Sequence, residues 1–177
     1  MAIVHRTTLV PSKLELLAAW LPRQPWYAGQ GELHRAGGFR LDDPAGAVGI
    51  EIVLVTDGDG RAFLTPMTYR DAPLPDALIG TTEHGVLGTR YVHDAPADPV
   101  FRAQLAALVR GEVAAQAQQA SDTPDPTVLV GPAPDATDIA LVRAPEPSDA
   151  DPAPGEIAIP WTLPDGTTVR GIIARVR

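Results

Sequence analysis

Apolar residues near the start of the chain recur with the spacing of a helix. Three leucines fall on one face of a helix predicted over residues 12–21, namely Leu14, Leu17 and Leu21. Ser12 and Glu15 have the S-x-x-E spacing of a capping box, in which each side chain bonds a free backbone N–H of the first turn. Pro22 follows and is predicted to end the helix, because proline lacks the backbone donor that a helix interior needs.

From residue 33 to residue 70 the pattern changes to the period of two that is typical of strands. Three segments show it, namely AGGFRLD, AVGIEIVLVTD and RAFLTPMTY. The sequence DGDG at residues 57–60 separates the last two and predicts a hairpin turn. After the proline-rich turn RDAPLPD, two further strands are predicted in ALIGTTEHG and VLGTRYVHD, with Gly85 and Gly88 at the bend between them.

A second helix is predicted over residues 99–119. Asp98 supplies an N-cap and Pro99 suits the first helical turn. The apolar stripe of this helix consists of Phe101, Leu105, Leu108 and Val109. Further along, EIAIPWTL and TTVRGIIARV flank the turn sequence PDG and predict a C-terminal hairpin.

Together these elements predict an α+β fold: a curved antiparallel β-sheet meander, two principal helices at about residues 12–21 and 99–119, and a C-terminal β-hairpin. Helices and strands do not alternate regularly, so a parallel sheet fits less well. We divide the chain into an α+β domain over residues 1–120, a segment rich in proline and aspartate over residues 121–155, and the hairpin over residues 156–177, packed on the same domain.

The segment 121–155 contains eight prolines and seven acidic residues but a single arginine. Two short stretches in it, TVLVG and DIALVRA, are expected to form strands. The stretch APEPSDADPAPG has almost nothing to bury and is expected to be a mobile loop.

Charge and composition exclude several classes of function. The net charge is −8 with one lysine, Lys13, and no run of arginines, which argues against nucleic acid or an anionic membrane as partner. The absence of cysteine excludes disulfides and thiolate metal sites. No leader-like pattern and no run of eighteen apolar residues occur, so we expect a cytoplasmic protein.

Three of the nine aromatic residues lie in the segment WLPRQPWYAGQG, residues 20–31. Trp20, Trp26 and Tyr27 could stack on a sugar or nucleoside ring, with Arg23 contacting a hydroxyl or phosphate group. Alternatively, Trp20 ends the first helix against the sheet while Trp26 and Tyr27 cover the open end of the sheet. The sequence leaves both readings open.

A second candidate cluster lies in the sequence GTTEHG. If the chain bends there, Glu83 and His84 could reach one pocket with Arg90 and Asp94 on the next strand, and such a cluster could perform acid/base chemistry. The alternative is a polar network that fixes the register of the sheet.

Other catalytic and metal-binding motifs are absent from the sequence. No phosphate-binding loop occurs, and no pair of histidines has the i, i+4 spacing of a helical zinc site. DGDG resembles the start of a calcium loop, but Thr68 stands at the twelfth position, where a bidentate Glu is required. We therefore predict no catalytic residue, no metal and no cofactor.

Two longer motifs carry a family resemblance. The segments WLPRQPWYAGQG and IGTTEHGVLGTRYVHDAPADPVF resemble the N-terminal cap domain of actinobacterial maltokinases and related aminoglycoside-kinase-like sugar kinases. In that family the first motif reads approximately W-L-x-x-Q-R-W-F/Y-x-x-K, and the second approximately G-T-T-E-H-x-V-L-G-x-R-x-V-Y-D. The resemblance covers about residues 12–119 and implies a cap fold that, in the full-length kinases, covers the N-terminal lobe of the catalytic core.

The sequence also departs from this family. Pro25 stands where the family places an arginine, and Gln30 where it places a lysine. The kinase core is missing, because neither a lysine strand nor an H-x-D catalytic loop with its downstream Asn and Asp occurs. This pattern predicts a cap-like protein that has the fold of the family's cap domain without the two cations of its first motif.

The resemblance favours a non-catalytic interaction or regulatory module, linked by analogy to trehalose, maltose and glycogen metabolism and acting through a protein partner or self-association. Two alternatives stay open. One is a protein that binds a sugar or nucleotide, or an enzyme, using Glu83, His84 and Arg90. The other is a cap subunit that completes a sugar kinase in trans.

Overall fold

The computed structural model describes residues 8–177 and contains two antiparallel sheets and two helices. The helices are α1 (Lys13–Trp20) and α2 (Pro99–Arg110). The strands are β1 (Leu9–Val10), β2 (His34–Leu41), β3 (Gly49–Thr56), β4 (Ala62–Arg70), β5 (Leu78–His84), β6 (Gly88–Asp94), β7 (Leu129–Val130), β8 (Ile139–Leu141), β9 (Glu156–Thr162) and β10 (Thr168–Val176). The α+β class is confirmed, as are the predicted strands of the meander and the C-terminal hairpin.

The larger sheet has the strand order β1-β5-β6-β4-β3-β2. The β3–β4 hairpin closes at DGDG as predicted, and the buried carboxylate of Asp57 holds the turn by accepting the N–H groups of Asp59 and Arg61 at 3.0 and 2.9 Å. The β5–β6 hairpin turns between His84 and Gly88. These turns fix the register of the sheet, and the register fixes which side chains share a face.

The smaller sheet has the order β7-β9-β10-β8, so the C-terminal hairpin forms its centre. The two short strands at its edges are those expected within TVLVG and DIALVRA. This second sheet does not extend the meander. It packs against one face of the larger sheet, together with α2, and closes a shared core.

Strand β3 is buried on both faces, which explains its mostly apolar sequence; the charged exception, Glu51, is a buried residue with polar partners. Ile50, Ile52 and Leu54 point into the core shared with α2 and the smaller sheet. Val53 and Val55 point to the other face, into a second core closed by α1. Because neighbouring residues of a strand face opposite sides, burial on both faces requires apolar residues in succession.

Helix α1 begins as predicted, with the Ser12–Glu15 capping box formed in both directions. Its last residue is Trp20, and a single 3-10 turn at Leu21–Arg23 carries the chain past Pro22. Leu17 and Trp20 pack on the larger sheet. The position and extent of this helix therefore agree with the sequence pattern.

Helix α2 is shorter than predicted: it ends at Arg110, and the extension to residue 119 is wrong. Gly111 adopts a left-handed conformation with φ 78° and ends the helix, as glycine commonly does at this position. The chain turns at residues 111–113, and Gln116 then forms a bridge to Arg40 of β2. The predicted start is confirmed, because the Asp98 side chain accepts the N–H of Val100 at 2.9 Å.

The two sheets meet where β8 leads into residues 142 and 143. The N–H of Val142 donates to Ile173 of β10, and the carbonyl of Arg143 accepts the N–H of Leu64 in β4, both at 2.8 Å. Along β4, strand β6 pairs with residues 67–70 and does not reach Leu64. The carbonyl of Arg143 therefore accepts the backbone N–H of Leu64 in its place. This crossing joins the segment 121–155 to the first half of the chain.

The stretch 144–155 lies along β10. The N–H of Ser148 donates to the carbonyl of Arg170 at 2.6 Å, and the Arg170 guanidinium donates to the carbonyl of Asp149 at 2.7 Å. The mobility of this loop and the division of the chain at residues 120 and 155 stay predictions.

Candidate interaction site

The aromatic segment 20–31 wraps the end of the core beneath α1. Trp20 is buried, and its ring meets that of Trp26 edge to face with centroids 5.9 Å apart. Tyr27 contacts Phe63 of β4 at 4.6 Å between centroids, whereas Arg23 is exposed. The three aromatic side chains thus pack toward the sheet, and Arg23 does not join them in a shared pocket.

The β3–β4 hairpin holds this segment in place through its backbone. Asp57 accepts the N–H of Gln30 at 3.0 Å, and the Arg61 guanidinium donates to the carbonyl of Ala28 at 2.7 Å. Burial alone would raise the pKa of Asp57, but the three backbone N–H donors and Arg61 lower it below the ordinary value. The hairpin therefore fixes Gln30 by its backbone, a contact that does not depend on the side chain at that position.

A cation from outside the aromatic segment covers Trp26. The guanidinium of Arg143 lies 4.7 Å from the centre of a Trp26 ring and donates to Asp94 Oδ2 at 2.5 Å. It also donates to the carbonyl of Leu64 at 3.3 Å. Burial raises the pKa of Asp94, against the opposing effect of Arg143. One face of Trp26 is thus occupied by the protein itself and is not open to a stacked ligand.

The sequence patterns did not identify Arg143 as a site residue. One signal could have done so, because Arg143 is the single basic residue among seven acids between residues 121 and 155. Its partners, Trp26 and Asp94, lie 117 and 49 residues away in the sequence.

Glu83, His84 and Arg90 are engaged in the β5–β6 hairpin itself. Glu83 accepts the Thr89 hydroxyl at 2.6 Å. His84 Nδ1 accepts the N–H groups of Val86 and Leu87 at 3.2 and 3.0 Å, and Arg90 donates to the carbonyl of Leu87 at 3.0 Å. Asp94 pairs instead with Arg143. The side chains of Glu83 and His84 leave opposite faces of β5, so the structure does not gather these residues around one pocket.

Apolar side chains are exposed at the end of this hairpin. Val86 and Leu87 occupy the turn and are 64% and 46% exposed, and Val10 of β1, paired with Glu83, is 63% exposed. We call Val10, Val86 and Leu87 the tip surface. Large apolar side chains grouped at such exposure are typical of an interaction site.

A buried carboxylate organises a second polar cluster on β3. Glu51 accepts Lys13 Nζ at 2.5 Å, Arg35 at 3.0 Å and the Tyr69 hydroxyl at 3.1 Å. The Gln118 amide nitrogen completes the set at 3.3 Å. Burial, followed by the charge of Glu51, raises the pKa of Tyr69 well above its ordinary value. Through Lys13, which precedes the rest of α1, this cluster ties the helix to the sheet.

Neither a membrane span nor a metal cluster is present in the part of the chain that the structure describes. No helix there is long and apolar enough to cross a membrane. Within residues 8–177, no three His, Cys, Asp or Glu side chains are placed to hold a metal ion. One of the four histidines, His5, lies outside the described residues.

Arg143 and Asp94 are expected to be energetically coupled. Because the two side chains are only 17% and 23% exposed, replacing both by neutral residues of similar size (Arg143→Met, Asp94→Asn) should cost less than the two single changes added together. We expect a coupling of about 1–3 kcal/mol in a double-mutant cycle measured by urea unfolding. The exposed pair Arg177–Asp138 is the control and should couple by less than about 0.5 kcal/mol. Equal coupling in the two cycles would contradict this assignment.

Comparison with known sequence families bears on the same segment. The family described as the maltokinase N-terminal cap domain matches residues 20–98. This confirms the resemblance for the stretch that runs from Trp20 to the N-cap of α2, which includes the first motif and all but the last three residues of the second. Helix α2, the crossing at residues 142–143 and the smaller sheet lie outside the matched residues.

Proposed function

We propose that this chain, whose residues 20–98 match the family of the maltokinase N-terminal cap domain, is a non-catalytic module that binds a maltokinase-related protein in the cytoplasm through its tip surface. The observation that carries the proposal is the distribution of apolar surface. Strands β3 and β4 are buried on both faces by the chain's own elements, whereas Val86 and Leu87 are exposed in the β5–β6 turn and Val10 is exposed on β1, the strand that pairs with β5.

The tip surface is built to present these side chains in a fixed geometry. His84 accepts the two N–H groups of the turn residues Val86 and Leu87, and Arg90 donates to the Leu87 carbonyl. A turn held by three such bonds loses little conformational freedom when a partner binds. Glu83, His84 and Arg90 therefore support binding by shaping the turn.

The charge departures in the first motif are consistent with a binding role without phosphoryl transfer. Pro25 and Gln30 remove two cations from the aromatic segment. Of the cations that remain near it, Arg143 pairs with Asp94, and Arg23 is exposed outside any pocket shared with the aromatic rings. The link to trehalose, maltose and glycogen metabolism follows by analogy with the family and specifies which kinase to test first.

The test is binding to a maltokinase from the same organism. We expect the purified chain to bind that polypeptide in isothermal titration calorimetry, and the double variant Val86→Ser, Leu87→Ser to weaken binding at least about tenfold, because central apolar anchors carry most interface energy. The matched control is Val176→Ser, an exposed apolar residue of β10 outside the tip surface, which should leave the affinity unchanged. Equal affinity of the tip variant and the wild type would refute the proposed surface, and absence of binding would refute the proposed partner.

The match to a cap domain also favours a second candidate, a cap subunit that completes a kinase in trans. The same polypeptides distinguish it. If the chain only binds, the kinase phosphorylates its substrate at the same rate with and without the chain. If the chain completes the enzyme, a kinase polypeptide that lacks its own cap gains activity when the chain is added. A small-molecule site at Glu83, His84 and Arg90 is less well supported, since those side chains are engaged within the hairpin.

A further inference from the structure

Residues 71–77 join β4 to β5, and we call this segment the flap. We propose that the flap is a pH-sensitive element, which His93 holds closed while its imidazole is neutral and releases when the ring gains a second proton. The flap lies at the end of the β5–β6 hairpin away from the tip surface. The proposal therefore does not depend on the binding function proposed above.

One hydrogen bond holds the middle of the flap. The backbone N–H of Leu74 donates to Nε2 of His93 at 2.8 Å, and no other hydrogen bond joins residues 72–76 to the rest of the described chain. The end of the flap is tied to β6, because the N–H of Asp94 donates to the carbonyl of Ala77 at 2.9 Å. The flap can thus leave the imidazole ring without breaking a pair of strands.

The hydrogen bond to Leu74 requires a neutral imidazole. Because Nε2 of His93 accepts, the ring proton lies on Nδ1, and that atom is buried without a partner among the described residues. A second proton, on Nε2, would point at the N–H of Leu74, donor against donor. The fully buried ring would then carry a charge and two donors without an acceptor. Opening of the flap relieves this cost, since water can then reach the ring.

The charges near the ring do not compensate for its burial. Asp98 and Arg70 act on His93 with opposite signs, and they pair with each other through two bonds of 2.7 Å. The residues opposite His93 in the sheet, Thr68 of β4 and Leu78 of β5, are uncharged. Burial therefore lowers the pKa of His93 below its ordinary value, while Asp98 raises it and Arg70 lowers it by smaller amounts.

The sign of the pH dependence follows from the open state of the flap. Once water hydrates the imidazole, its pKa returns toward the ordinary histidine value of about 6.5. The open state therefore binds the proton first as the pH falls, and opening becomes more favourable below about pH 6.5. The carboxylates of the flap, Asp71 and Asp76, are exposed, and neither forms an ion pair with His93 in the structure.

Hydrogen exchange of the Leu74 amide measures the opening of the flap directly. We expect its protection factor, corrected for the intrinsic exchange rate at each pH, to fall about tenfold between pH 7.5 and pH 5.0 in the full chain. His93→Gln keeps an acceptor for the Leu74 N–H but does not titrate, so its protection factor should stay constant. The matched control His34→Gln replaces an exposed histidine of β2 and should show the wild-type fall. Amides of β3 report global unfolding and should keep their protection.

Several results would overturn the proposal. They are a protection factor of Leu74 that does not change with pH, an equal fall for the amides of β3, and an equal fall in His93→Gln, which would assign the opening to another group such as Asp94. If His93→Gln does not fold, ¹⁵N NMR of the assigned imidazoles in the wild type decides the question. His93 should carry its proton on Nδ1 at pH 7.5, and its titration should coincide with the loss of Leu74 protection. A proton on Nε2 at pH 7.5, or a ring still neutral when the flap has opened, would refute the mechanism.

Discussion

A fragment that ends at Asp98 is expected to remain unfolded, although it contains the whole segment that matches the cap family. Of the twenty buried residues in the core between the sheets, eleven come after residue 98, among them Phe101, Leu105, Ile157 and Trp161. Without them one face of β3 and β4 is exposed to water, at a cost of about 1.5–3 kcal/mol for each large apolar side chain that fails to be buried. That loss exceeds the usual net stability of a domain.

Circular dichroism and urea unfolding test this expectation. The fragment should show no cooperative transition, whereas the complete sequence should unfold in one. Adding residues 99–177 as a separate polypeptide is the informative control, because it restores the missing half of the core without a covalent link and should restore a cooperative transition. A fragment that unfolds cooperatively by itself would show that the cap segment does not need α2 and the smaller sheet.

Asp98→Ala is expected to destabilise the protein by about 3–5 kcal/mol, the range for removing one partner of a buried ion pair. The Asp98 side chain is fully buried, accepts two bonds of 2.7 Å from Arg70 and caps α2. The substitution leaves Arg70 without its partner and the first turn of α2 without its cap. The matched control is Asp98→Asn, which can keep the cap but not the charge and should recover about 1 kcal/mol. A loss below about 1 kcal/mol for Asp98→Ala in urea unfolding would contradict this role.

The same contribution should depend on pH. Burial by itself would raise the pKa of Asp98, but Arg70 and the Val100 N–H lower it below its ordinary value. Because the folded-state pKa is below the unfolded value of about 3.9, the unfolded state binds the proton first as the pH falls. The difference in stability between the wild type and Asp98→Ala should therefore be constant above about pH 5 and shrink below about pH 4. A stability difference between the wild type and Asp98→Ala that grows as the pH falls would contradict this expectation.

The sequence predicted the elements whose signals are local. The Ser12–Glu15 capping box and the DGDG turn each act within a few residues, and both formed as expected. The end of α2 was missed although its signal, Gly111, was also local. The alanines and glutamines after Gly111 favour a helix by propensity, but they have no apolar stripe to bury. The helix therefore ends before the glycine, and Gln116 pairs with β2 instead.

What the sequence could not predict depends on contacts between distant residues. Strands were expected within TVLVG and DIALVRA, but their place in the sheet was not: β7 and β8 contain two and three residues and form its edges because β9 and β10 pair with them. The Arg143 contact with Trp26 and Asp94 requires the crossing between the sheets. The candidate cluster at Glu83, His84 and Arg90 assumed a bend with convergent side chains, whereas the hairpin uses the same atoms to close its own turn.

The crossing at Arg143 also has a consequence for folding during synthesis. The backbone N–H of Leu64 in β4 can form its hydrogen bond only after Arg143, 79 residues further along the chain, has been synthesised. At about 5–20 residues per second, the ribosome needs roughly 4–16 s to add residues 99–177 after the cap segment. During that interval the unpaired edge of β4 and the apolar face of β3 are available to other nascent chains. We therefore expect residues 20–98 to depend on a chaperone that binds early during synthesis. Slower translation of the codons for residues 99–177 should increase aggregation.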